Sequence, residues 1–105
     1  MPSQELFFNV QDDQNGNPVV TEVEPFDLNR DDLHVWAVGL TDKGGSIEIP
    51  CYMVFPGKTV SAETFWKPGY TIQAHGDNSA WHTPYAEALS SQMRERATRR
   101  GLFSG

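Results

Sequence analysis

Apolar and polar residues alternate with a period of two across residues 46–55. Ile47, Ile49, Cys51, Met53 and Phe55 share one side, and Ser46, Glu48, Pro50 and Tyr52 the other. Successive strand side chains point to opposite faces, so this stretch predicts a half-buried strand. Pro50 has no amide hydrogen to give to a ladder, which predicts an edge strand or a bulge at that position. Residues 33–41 read differently: Leu33, Val35 and Ala37 on one side and Trp36, Val38 and Leu40 on the other are all apolar. That pattern predicts a central strand covered on both faces.

Shorter extended segments surround these two. Residues 6–10 form an apolar strand, and Asn15-Gly16 in the polar stretch that follows suits a hairpin turn. Residues 19–26 alternate, with Val19, Thr21 and Val23 opposed to Val20, Glu22 and Glu24. Residues 42–45 (Asp-Lys-Gly-Gly) and Pro56-Gly57 are turn sequences, the latter of type II because glycine accepts the positive φ. Residues 59–66, with Val60, Ala62, Thr64 and Trp66 on one side, and Tyr70, Ile72 and Ala74 predict further strands.

A helix is predicted over residues 84–100. Thr83 can cap it, Pro84 suits the first helical position, and Tyr85, Ala86, Leu89, Met93 and Ala97 recur on one side. Glu87 near the start and Arg96, Arg99 and Arg100 near the end match the helix dipole. Gly101 can take the left-handed position after the cap, with Leu102 folding back on the last turn. Together these elements predict one α+β domain spanning residues 1–105: a small antiparallel sheet of four to six short strands with one C-terminal helix. A small β-barrel with a helical tail is the alternative.

Composition supports a packed domain, since 38% of the 105 residues are apolar and six Phe, three Trp and three Tyr can fill a core. The net charge of -6 is unevenly placed: residues 1–90 balance to -9 and residues 91–105 to +3. An acidic body disfavours nonspecific binding to nucleic acid or anionic membranes. One cysteine, Cys51, excludes an intrachain disulfide, and its place on an apolar strand side predicts a buried small hydrophobe. No apolar run is long enough to span a membrane and the N-terminus carries no signal-peptide pattern, so a cytoplasmic location is expected.

The densest chemistry lies in residues 75–82, where His75, Asp77 and His82 offer nitrogen and oxygen donors and His34 a fourth ligand. Their spacing matches no close-set metal motif. Ser79 with His75 or His82 and Asp77 has the residue types of a hydrolytic triad but no nucleophile-elbow sequence. Asp77 paired with Glu63 or Glu48 for acid–base work is no more specific in so acidic a chain. Gly44-Gly45 lacks the Lys-Ser/Thr ending of a phosphate loop. No catalytic residue is assigned and no cofactor is expected.

Aromatic residues and arginines point toward interaction instead. Tyr52 and Phe65 occupy the outward register of their predicted strands, opposite Phe55 and Trp66. Outward aromatics suit the core of a protein interface. Arg94, Arg96, Arg99 and Arg100 provide a basic helix end, with Arg96 and Arg100 on one face. The preferred expectation is a noncatalytic accessory or interaction protein that binds a protein partner or self-associates through Tyr52 and Phe65, Arg96 and Arg100, or both. The alternative is a small metal- or ligand-binding protein, enzymatic or not, using His75, Asp77 and His82.

Overall fold

A computed structural model describes residues 5–25, 33–41, 47–64 and 83–103. Among these, β1 (Leu6–Asp12), β2 (Pro18–Glu22), β3 (Leu33–Thr41) and β4 (Glu48–Pro56) form one sheet, followed by α1 (Pro84–Arg99). The spatial order is β2-β1-β4-β3, an open sheet and not a barrel. The α+β class, the strand number and the C-terminal helix agree with expectation. The sheet is mixed, however, because β1 and β4 run parallel while the β1–β2 and β3–β4 pairs are antiparallel.

Burial explains that order. β1 contributes Leu6, Phe8 and Val10 to the core, and β4 contributes Ile49, Cys51, Met53 and Phe55. Placing these two strands in the middle encloses the largest apolar sides from both flanks, and the two hairpins then meet along a parallel seam.

Two expectations about strand position are thereby exchanged. Among the described strands β3 lies at the edge, not in the centre, and Val35 is 51% exposed on the side away from the core. β4 is an inner strand despite Pro50. Its ladder with β1 starts at Leu6 opposite Cys51, so Pro50 lies just beyond that ladder while still facing Gly39 of β3. The missing amide hydrogen falls where, among the described residues, β4 pairs with a strand on one flank only.

The β1–β2 hairpin closes at residues 13–17. The Asp13 carboxylate accepts from the amides of Asn15 and Asn17 at 2.8 and 2.9 Å, and Gly16 supplies a φ of 82°. Gly57 takes a φ of 74° after Pro56, as a type II turn requires. The expected strand over residues 59–66 does not form in its described part; residues Ala62–Thr64 make a single 3-10 turn. The turn at 42–45 and the strand from Tyr70 to Ala74 lie outside the described residues.

The helix follows its sequence signals closely. The Thr83 hydroxyl accepts from the Ala86 amide at 3.0 Å and donates to the Thr64 carbonyl at 2.5 Å, so one cap also anchors the preceding segment. At the other end the Gly101 amide donates to Thr98 and the Leu102 amide to Ala97, with Gly101 at a φ of 73°. This is the paired bonding of a Schellman ending. Ala86, Leu89, Met93 and Ala97 are fully buried against the sheet, and Phe103 joins the same core.

A second set of contacts fixes the helix along β2. The Val20 amide donates to Gln92 Oε1 at 2.9 Å, and Gln92 Nε2 donates to the Pro18 carbonyl at 3.0 Å. Arg96 Nη2 donates to the Val20 carbonyl at 3.4 Å, and Arg100 Nη1 lies 2.6 Å from Glu22 Oε1. Gln92 therefore serves Pro18 and Val20, Arg96 serves Val20, and Arg100 serves Glu22. The match is geometric: four helical residues rise about 6 Å and two strand residues about 6.7 Å.

Gln92→Ala would leave an edge amide and carbonyl without their partners, and should lower the unfolding free energy by about 1–2 kcal/mol. Gln92→Glu keeps the acceptor for Val20 and loses the donor for Pro18, so it should fall between wild type and Gln92→Ala. Urea denaturation followed by circular dichroism measures both; unchanged midpoints would mean that water serves the β2 edge equally well.

Candidate functional site

The side of the sheet turned away from α1 carries the strongest candidate surface. On it the Phe7 and Tyr52 rings stack at a centroid distance of 4.8 Å and an interplanar angle of 14°. The two residues face each other across the parallel β1–β4 seam. Val54 follows Tyr52 on the same side, with Val35 opposite it on β3 and Asn9 opposite it on β1. Val19 and Val35 are the exposed large hydrophobics, at 48% and 51%. By strand parity, Glu48 is the one charged residue that the four strands place on this side.

Tyr52 thus occupies the outward register expected of it. Phe65, its expected companion, lies outside the described residues, as do His75, Asp77, His82 and Ser79. The companion that the structure supplies is Phe7. Its signal was present in the sequence, because parity separates Phe7 from Leu6, Phe8 and Val10. Reading residues 6–10 as one apolar run concealed it.

Arg96 and Arg100 sit on the opposite side of the sheet from Tyr52 and engage β2, as described above. Arg99 pairs with Glu95 one turn earlier, and Arg94 donates to the Thr41 carbonyl at 3.4 Å. The expected interface arginines are therefore committed to intrachain contacts. Their charge does not form one continuous surface with the aromatic pair.

A polar cluster stands at the hairpin end of β1. Lys58 Nζ lies 2.7 Å from Asp12 Oδ2, and the Tyr85 hydroxyl donates to Asp12 Oδ1 at 2.9 Å. Lys58 also approaches the Phe55 and Tyr85 rings at 5.8 and 6.0 Å. The Lys58 hydrogen bond, with help from Tyr85 and the ammonium charge, holds the Asp12 carboxyl below its ordinary pKa. Burial, and then the Asp12 carboxylate, push the Tyr85 phenol upward. A carboxylate occupied on both oxygens and made less basic is poorly suited to take a proton, so the cluster works as a clamp joining β1, the Gly57 turn and α1.

The remaining chemical groups stand apart. His34 meets the Trp36 ring edge-on at 5.9 Å on the core side of β3. The Glu48 carboxylate folds across Gly39, where an added Cβ would come within 2.9 Å of it. Glu63 is exposed in the 3-10 turn. Among the described residues no group of three or more His, Cys, Asp or Glu is placed to hold a metal ion. No helix of the described residues is long and apolar enough to cross a membrane. No protein family, curated protein or solved structure matches this chain.

Two outcomes follow from the titrating groups. Cys51 is fully buried, and burial pushes its thiol up to about 12. Alkylation of the native protein at neutral pH should therefore be slow and should accelerate on adding denaturant; rapid labelling in buffer would place the thiol at the surface. The Asp12 shift is downward, so its stabilisation is present above the unfolded carboxyl value of about 3.9 and is lost as pH falls from there through the lower folded value. Because the pair is partly exposed, Asp12→Asn should cost no more than about 1 kcal/mol at pH 7. It should also flatten the decline in melting temperature between roughly pH 5 and 3; an unaltered decline would remove Asp12 from the acid transition.

Proposed function

We propose that this chain is a noncatalytic interaction protein whose partner covers the sheet side bearing Phe7 and Tyr52. The observation that carries this reading is the part-exposed Phe7–Tyr52 stack together with Val19 and Val35, about half exposed on the side away from α1, where the neighbouring Val54 is already buried. Half-exposed apolar side chains on one side of a sheet are covered most simply by a second layer. The occupant we assign is an amphipathic helix of a partner protein, presenting an uncharged apolar stripe.

Charge and packing support that choice. No Lys or Arg projects from this side in β1–β4, so the surface offers no phosphate contacts, and Glu48 stands at one end of it. The same sheet already accepts an uncharged helical stripe on its other face, through Ala86, Leu89, Met93 and Ala97. Tyr52 and Asn9 can meet polar groups at the margin, while Phe7, Val35 and Val19 supply apolar area.

Photo-crosslinking from position 52 in the native host should give one adduct whose attachment maps to the apolar side of a partner helix. A matched crosslinker at Glu87, exposed on α1, should not give that adduct. Val35→Ser and Tyr52→Ala should each weaken the purified complex by about tenfold or more, with native circular dichroism retained. Equal adducts from both positions, or affinities unchanged by both substitutions, would overturn the assignment.

A further inference from the structure

The two edges of the sheet are treated differently. On β2 the outward groups of Pro18 and Val20 are bonded by Gln92 and Arg96 of the helix. No strand among the described residues pairs with the far edge of β3. Alternation identifies which β3 groups face outward. Val23 donates to the Phe7 carbonyl, so the odd residues of β1 serve β2 and its even residues serve β4. In the parallel register, Phe8 then bonds to Tyr52 and Val54, leaving Met53 and its odd neighbours to bond β3. Their partners are His34, Trp36, Val38 and Leu40. The amides and carbonyls of Val35, Ala37 and Gly39 consequently face away from the sheet.

We propose that this edge pairs with the same edge of a second copy, antiparallel about Ala37, to make one continuous sheet across the two copies. The inference concerns β3 itself and does not depend on the helix partner assigned above.

Exposed edges are ordinarily blunted by charge, proline, bulges or shortness. β3 has none of these: its nine residues contain no proline and no Asp, Glu, Lys or Arg, and its register with β4 is unbroken from Leu33 to Thr41. A second copy satisfies a two-fold arrangement with no like charges opposed. Centred on Ala37, it sets Val35 against Gly39, and Trp36 against Val38, each large residue meeting a smaller one. The pairs Ala37–Ala37, Val35–Gly39 and Gly39–Val35 each exchange both of their outward bonds. Each copy's net charge of -6 opposes approach, and salt screens that repulsion, so pairing should strengthen from low to moderate ionic strength.

Sedimentation equilibrium of the full chain over micromolar to millimolar concentrations provides the test. Wild type should show a monomer–dimer equilibrium that tightens with salt. Ala37→Pro removes an outward amide hydrogen that the β4 ladder does not use, and should weaken the dimer by about tenfold or more while native circular dichroism is kept. Ala37→Lys and Ala37→Glu should each weaken self-pairing, and an equal mixture of the two should restore a dimer containing one copy of each. That mixture remains decisive if the proline variant does not fold. Tyr52→Ala should leave the dimer intact. A wild-type monomer throughout, a dimer indifferent to every Ala37 variant, or a dimer abolished by Tyr52→Ala alone would overturn the proposal.

Discussion

The constraint on which the rest depends is the match between one turn of helix and two residues of strand along β2. A short edge strand with one strand neighbour keeps half of its peptide groups unpaired, and five residues give it little apolar area with which to compensate. Gln92 acts there as a surrogate peptide, presenting a carbonyl to Val20 and an amide to Pro18. Arg96 and Arg100 continue the series to Val20 and Glu22. The buried stripe of Ala86, Leu89, Met93 and Ala97 holds the helix against the sheet, while the polar series sets its direction and its position along the strand. Apolar contact alone would tolerate sliding; hydrogen bonds at the alternate residues Pro18, Val20 and Glu22 do not.

This explains why the charge asymmetry of the chain is poor evidence for a docking surface. The basic segment is attached to the acidic body by the body's own groups, with Arg100 on Glu22 and Arg96 on a strand carbonyl. These partners are 78 and 76 residues apart in the chain, a separation that no local pattern reveals. Helical spacing places Arg96 and Arg100 on one face, which is correct, but cannot say what the face meets. The helix itself was legible in full because its cap, stripe and stop all act within a few residues.

Strand faces were legible and strand neighbours were not. Alternation places Tyr52 opposite Cys51, Met53 and Phe55, and the structure agrees, since it stacks on Phe7 on the side away from α1. The apolar character of both sides of β3 suggested cover on two faces, yet the same composition belongs to an edge strand whose outer side is exposed at Val35. Pro50 suggested an edge, but the parallel ladder starts one residue later, so a proline is accommodated in an inner strand. A period of two reports which way side chains point. Lateral order comes from the competition among all strands for the middle of the sheet, and the largest apolar sides, on β1 and β4, occupy it.

Among the described residues, the helix divides the sheet into a side that it covers and a side on which Val19 and Val35 are about half exposed. It covers one face and closes one edge, leaving the Phe7–Tyr52 face and the β3 edge together on the remainder. These two surfaces share a residue: Val35 lies on the open face and at the outward-bonding edge. Pairing two copies through β3 would therefore not consume the aromatic stacks, which stand on β1 and β4. It would place two such faces on one continuous sheet, related by a two-fold axis, and a partner with two helices could then engage both. The second contact would be intramolecular, strengthened by effective concentration without any new kind of interaction. The proposed edge pairing and the proposed face binding would then reinforce each other.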